Sequence, residues 1–157
     1  MSETTTAKPT TSTALTTPPS ALVTEQGKTT IADAVVAKIA GIAAREVSGV
    51  HALGGGTSRA VGALRERIPG GRTNNAQGVS VEVGERQAAV DIQLVAEYGV
   101  SISDLSAGIR RNVISAVERM TGLDVTEVNI EVHDIYLPTD DQDGDSDSDE
   151  SKAPRVQ

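Results

Sequence analysis

Gly27-Lys28-Thr29 is the tripeptide that closes the phosphate-binding loop of many nucleotide hydrolases. That loop needs G-x-x-x-x-G-K-[ST], so that successive backbone N–H groups wrap the phosphates before the lysine reaches them. The first glycine would stand at position 22, which is Leu22, and a Thr- and Pro-rich stretch precedes it instead of a strand. The tripeptide is therefore read as an extended lead-in to a helix, with a solvated lysine. His133 and Asp134, on the same side as Glu131 and Asp91, are the next candidates: an imidazole among carboxylates can act as a general base or a metal ligand. His51 lies in another element, and no His-x-x-x-His spacing exists to build a zinc site. Alternation places His133 on the polar face of a strand, as a solvated side chain. The aspartates Asp143, Asp145, Asp147 and Asp149 suggest a calcium loop, which requires glycine at its sixth position and glutamate at its twelfth. Counting from Asp143 those positions hold Ser148 and Pro154, and counting from Asp141 they hold Ser146 and Lys152. The run is read as a solubilising acidic tail. Arg59, Arg65, Arg67 and Arg72, with only Glu66 against them, sit beside Val61, Leu64 and Ile68. They are the candidate contacts for anionic lipid or an acidic partner, against the plainer reading of a hydrated flap.

Composition removes several classes of function. The chain of 157 residues has no Cys, which excludes disulfides and thiolate metal sites. Phe and Trp are absent and Tyr98 and Tyr136 are the only tyrosines, so the core must be built from Val, Ile, Leu and Ala. The net charge is −8, and most of it lies in the last 20 residues, which carry seven acidic and two basic side chains. Residues 27–137 hold 11 basic and 13 acidic groups, a nearly neutral body without a general attraction for nucleic acid. A KH-like single-stranded nucleic-acid-binding module is the alternative suggested by the overall shape. It needs a G-x-x-G clamp, and no two glycines are spaced by three. No stretch approaches the roughly 18 apolar residues of a membrane span, and the first residues, without a basic region ahead of an apolar run, are not expected to act as a secretory signal. The expected location is cytoplasmic. Nothing in the sequence calls for a cofactor or metal, or assembles a nucleophile with a base.

The elements that must position these residues follow from periodicity. Residues 1–26, rich in Thr and Pro, and residues 138–157, acidic and of low complexity, cannot bury enough surface to offset ordering and are expected to be disordered. Residues 27–137 form one domain. Its first helix is expected to begin at Thr30 as N-cap, with Asp33 three residues on, and to bury Ile31, Val35, Ile39 and Ile42 before Ser48-Gly49. A Gly- and Arg-rich insert occupies 54–78, with a short amphipathic helix over 60–68. Val79, Val81 and Val83 then alternate as a strand, turn at Gly84–Gln87, and return over Ala88–Tyr98. On the returning strand Val90, Ile92, Leu94, Ala96 and Tyr98 share one face, and Asp91, Gln93 and Glu97 the other. A second helix is expected from Ser103 as N-cap, with Ile102 as staple and a stripe of Leu105, Ile109, Val113, Ala116 and Met120, ending at Gly122. The final strand, from Leu123 to His133, buries Val128, Ile130 and Val132 and shows Asn129, Glu131 and His133. The sum is an α+β fold, a two-layer sandwich of two main helices on a small three- to four-stranded mixed sheet. If the last two long strands are neighbours, the helix between them makes them parallel. Whether residues 27–30 add an edge strand is open. Asp91, Gln93, Glu97, Asn129, Glu131 and His133 form a candidate contact face.

Three runs carry a family likeness: VVAKIAGIAAREVSGVHALGGG, GVSVEVGERQAAVDIQLVAEYGVSI and RRNVISAVERMTGLDVTEVNIEV. They resemble the bacterial alkaline-shock-protein family, the envelope stress response proteins, across nearly all of residues 27–137. The Ala-, Arg- and Thr-rich, Lys-poor composition would suit an actinobacterial member. The resemblance implies a small non-enzymatic scaffold linked to envelope stress and held under the membrane by a small integral membrane protein partner. It also implies self-assembly, and the open edges of a small sheet independently suggest a homo-oligomer.

Overall fold

The computed structural model describes residues 20–56 and 74–139. The expected helix over 60–68, the four insert arginines and most of both expected tails lie outside these residues. Within them the chain runs β1 (Val23–Thr24), β2 (Gly27–Lys28), α1 (Asp33–Arg45), β3 (Val50–Leu53), β4 (Val79–Val83), β5 (Gln87–Glu97), α2 (Ile102–Thr121) and β6 (Asp124–Tyr136). This is an α+β fold with both helices against one face of a mixed main sheet. Strand β5 is its spine. β3 and β4 both pair antiparallel with one side of β5, end to end, and β6 pairs parallel with the other. The parallel pairing follows from the α2 crossover, as expected.

β3 and β4 amount to one edge strand interrupted at Gln93. The Gln93 carbonyl accepts the Gly54 N–H at 2.7 Å, and the Gln93 N–H donates to the Gly78 carbonyl at 2.8 Å. The chain thus leaves the sheet and returns to it at a single rung. It leaves on the side away from the helices, where a Cβ on Gly55 would lie 3.8 Å from the His133 ring. It returns beside α1, where Arg45 donates to Asn75 Oδ1 at 2.9 Å and to the Asn74 carbonyl. Gly41 is required at that crossing, because a Cβ there would overlap the Asn75 carbonyl oxygen.

The core is aliphatic throughout: Val36, Ala40, Ala43 and Ala44 of α1 and Leu105, Ile109, Val113 and Val117 of α2 pack on Val90, Ile92, Leu94 and Ala96. Several expectations are corrected. In α1 Ile39 is buried as read, but Val35 and Ile42 are 44% and 46% exposed. The helix turns its alanines inward, because small side chains let its axis approach the sheet, and the bulkier pair is left outside. Its N-cap is Ala32, without a side-chain cap, in place of Thr30. Residues just before it are held extended instead: β1 and β2 form a separate two-stranded hairpin, and Thr29 N–H donates to the Leu22 carbonyl at 2.7 Å. This hairpin answers the question about residues 27–30, which add no strand to the main sheet. It also brings residues 20–26, read as tail, into the fold.

In α2 the N-cap is Ser101, whose Oγ accepts the Asp104 N–H, in place of Ser103. Ile102 is accordingly the first helical residue and exposed, not a staple. Steps of four carry the buried stripe on to Val117 and Thr121, leaving Met120 65% exposed. Thr121 is buried without penalty, since its hydroxyl donates to the Val117 carbonyl and accepts the Leu123 N–H. Gly122 ends the helix at φ 73°, the left-handed cap expected of it. Tyr98, read as an inward residue, lies past the end of β5 and is 73% exposed.

Candidate functional site

With both helices on one side of the main sheet, its other face carries no layer among the described residues. The rungs of that face can be read off the register. Glu82, Ala89 and Glu127 lie side by side, then Ser80, Asp91 and Asn129, then Gln93 and Glu131, and finally Glu97 and Tyr136. All six candidate residues, Asp91, Gln93, Glu97, Asn129, Glu131 and His133, are exposed there. Neighbouring rungs are tied across the strands. Asn129 donates to Asp91 Oδ1 at 2.9 Å and to Glu127 Oε1 at 3.2 Å, and Gln93 donates to Glu131 Oε2 at 3.4 Å. His133 Nε2 stands 3.8 Å from the same Glu131 oxygen.

Charge gives the face its character. Glu82, Asp91, Glu97, Glu127, Glu131 and Asp134 bring carboxylates, and none of the four strands contains Lys or Arg. Among the described residues no three His, Asp or Glu side chains converge as metal ligands. His133 meets one carboxylate, and His51 is engaged elsewhere.

That engagement is a feature the sequence reading missed. His51 of β3 and Tyr136 of β6 stack with centroids 3.7 Å apart and planes inclined by 4°. These strands flank β5 on opposite sides, so the stack spans the open face. Beneath it Val95, paired with Ala52 and Asp134, is 1% exposed although it lies outside the main core cluster. The open face therefore has its own small apolar anchor at one end. Parity along the strands would have added Glu82 and Glu127 to the candidates. The stack itself leaves no sequence signal, because His51 is the irregular residue in the β3–β5 register.

The opening tripeptide also receives a role. Lys28 is not simply solvated: its Nζ lies 2.6 Å from Glu85 Oε1 in the β4–β5 turn, tying the β1–β2 hairpin to the sheet. The hydrogen bond from Lys28, and then its charge, hold the Glu85 carboxyl below the usual carboxylate range. A carboxyl with a depressed folded value contributes stability above its unfolded value, and that contribution is lost as pH falls through the folded value. Both groups are largely exposed, so the contribution is small and screened by salt. In Lys28→Ala the Glu85 titration midpoint, followed by carboxyl-carbon NMR, should rise toward the ordinary value. An unchanged midpoint would mean that the ion pair does not persist in solution. Next to this pair Leu22, Ile31, Val83 and Leu123 line an apolar cleft of about 230 Å³. Small-molecule sites usually run to roughly 300–1,000 Å³ with convergent polar groups, so the cleft does not read as a substrate pocket.

Residues 21–137 match the family of alkaline shock protein 23, described by its cell envelope-related function. The chain belongs to this alkaline-shock family. It is the family that the three sequence runs resembled. Among alkaline-shock relatives, the uncharacterised protein YqhY of Bacillus subtilis (strain 168) is 35% identical over 116 residues, 74% of this chain and 82% of YqhY. A stress response regulator gls24 homologue of Streptococcus pyogenes serotype M3 is 38% identical over 110 residues, 70% of this chain. The aligned part spans 59% of that regulator's length. The uncharacterised protein Spy1614 of Streptococcus pyogenes serotype M6 is 30% identical over 116 residues, 73% of this chain and 92% of its own. No solved structure matches the chain. No described helix of this alkaline-shock-family protein is long and apolar enough to cross a membrane.

Proposed function

We propose that this alkaline-shock-family protein is a non-enzymatic scaffold of the envelope stress response, working by docking a membrane partner and by self-association. The observation that carries the reading is the open sheet face. Among the described residues one side of the mixed sheet is left without a layer, and its exposed groups are fixed by hydrogen bonds between rungs. A preformed polar face of this kind suits a partner surface, since few side chains must be ordered on binding. The family's envelope-related description supplies the setting. The partner in this reading is a small integral membrane protein, and the scaffold is cytoplasmic, peripheral at the inner face of the membrane. Arg59, Arg65, Arg67 and Arg72 lie outside the described residues, in a segment whose departure point is next to His133 on this face. They remain the proposed contacts to anionic lipid or to an acidic part of the partner.

The nucleic-acid alternative is disfavoured by the same face. In sheet-based readers of single strands the open face supplies stacking aromatics and cations for the phosphates. Here it supplies carboxylates and one stacked tyrosine.

Affinity capture of tagged protein from gently solubilised native membranes tests the proposal. One integral membrane protein should dominate the recovered material. An Asp91→Asn, Glu97→Gln, Glu131→Gln triple variant should reduce its recovery about tenfold while surface substitutions of this kind leave stability within about 0.5 kcal/mol. Recovery only from the soluble fraction would remove the membrane role. A high absorbance ratio from bound RNA, conspicuous in a protein with two Tyr and no Trp, would instead favour the alternative.

A further inference from the structure

Strand β6 is 13 residues long and, among the described residues, has a strand partner on one side only. Long unpaired edges invite addition of another strand unless they are guarded. Two guards are visible, both from α2. Arg110 Nε donates to the Val128 carbonyl at 3.1 Å, and Glu118 Oε1 accepts the Val125 N–H at 3.1 Å. These bonds also reveal which backbone groups point outward. In a parallel ladder, alternate residues of a strand direct N–H and C=O to the same side. Val128 faces out, so Ile130 and Val132 do as well. Tyr136, whose carbonyl takes the Tyr98 N–H, faces β5. Among the described residues no helix side chain hydrogen-bonds to the outward groups of Ile130 or Val132.

We propose that this edge pairs antiparallel with β6 of a second copy about a twofold axis at Ile130, and that Arg110 competes with the pairing. The inference deepens the self-association part of the scaffold reading. Its register is argued from side-chain complementarity. With Ile130 facing Ile130, Val128 faces Val132, Asn129 faces Glu131, and Glu127 approaches His133. The buried Val128 and the half-buried Ile130 and Val132 then meet apolar residues on the helix side of the sheet. On the open side every carboxylate meets an amide or an imidazole. The two neighbouring registers that keep the faces aligned fail. Centring on Asn129 sets Glu127 against Glu131, and centring on Glu131 sets Glu131 against itself, like charges directly opposed. Irregularities at Thr126 and His133, which the β5 register skips, bracket the regular stretch and limit the pairing to its length. The Val128 carbonyl must accept the second copy's Val132 N–H in this arrangement. Arg110 already donates to that carbonyl in the monomer, so its guanidinium and the incoming N–H compete for the outward side of the same oxygen.

The chain has no Cys, so single substitutions report single positions. Directly opposed residues of a hydrogen-bonded antiparallel pair have Cα atoms about 5.5 Å apart, within the range a disulfide spans. In the full chain under mild oxidation, Ile130→Cys should form a covalent dimer, and Ser115→Cys, exposed on the outer side of α2, should not. Because Ile130→Cys thins a half-buried position, the register is tested independently at exposed sites. A mixture of Asn129→Cys and Glu131→Cys chains should cross-link as the heterodimer more than either chain alone. Sedimentation of Arg110→Ala should show about tenfold tighter association, the change expected when one competing charge-assisted hydrogen bond is removed. Cross-linking of Ile130→Cys at the level of Ser115→Cys, or of Glu131→Cys alone as well as in the mixture, would overturn the pairing. Unchanged association in Arg110→Ala would overturn the competition. These experiments use purified protein, so their failure leaves membrane capture untouched, and failure of capture leaves the dimer untouched.

Discussion

Leu94→Ala should lower the unfolding free energy by about 2–5 kcal/mol, the range for a fully buried leucine whose site collapses incompletely. Leu94 is fully buried at the centre of the sheet, between Leu53 of β3 and Val132 of β6. The helices above it contribute Val, Ile, Leu and Ala. β-branched neighbours are stiff at χ1 and cannot swing into the space, and there is no aromatic ring in the core to tilt across it. A domain of this size holds about 5–15 kcal/mol in all, and each kcal/mol shifts the midpoint by roughly 4–8 °C. The thermal midpoint should therefore fall by more than about 8 °C, with an unchanged denaturant slope. A loss below about 1 kcal/mol would mean that β3 closes on the vacancy, and that the β3–β5 contact is softer than its register suggests.

Gly78→Ala is expected to be nearly as costly, for a different reason. Gly78 has φ 73°, a left-handed backbone, and an added Cβ would overlap the Gly54 backbone and approach the Gln93 carbonyl at 2.9 Å. The conformation alone costs about 1–2 kcal/mol for a residue with a Cβ. Overpacking adds about 1–3 kcal/mol, and here the neighbour is backbone that cannot rotate away. The damage should be local before it is global. Amide exchange of Gly54 and Gln93, whose N–H groups form the two bonds of this junction, should accelerate more than that of Val90 or Ile92. Uniform acceleration along β5 would show that the junction and the spine open together. The position also bears on function, since the junction sets where the Arg-rich segment departs beside the open face.

Much of this architecture was legible in the residues. Alternation of Val79, Val81 and Val83, and of Val90, Ile92 and Leu94, found β4 and β5, because a sheet buried on one face alone imposes a period of two. The same alternation along the last strand placed Asn129, Glu131 and His133 together with Asp91, Gln93 and Glu97. Leu105, Ile109 and Val113 found α2, and Gly122 marked its end. The resemblance of the three runs found the family.

What failed was wherever contact distant in sequence overrode local pattern. The large residues of α1 promised a stripe through Val35 and Ile42, but the sheet demanded a close approach and selected Ala40, Ala43 and Ala44. Thr30 had the chemistry of a cap, but the β1–β2 hairpin holds that stretch extended. β3 is four residues between glycines, too short to carry a period, and exists because β5 offers it an edge. His51 and Tyr136 stand 85 positions apart and meet over Val95 only after both flanking strands have paired. Periodicity is a property of each segment and is written into it. Which face approaches closely, which edge stays open and which carboxylate meets which amide are decided between segments, when the sheet assembles.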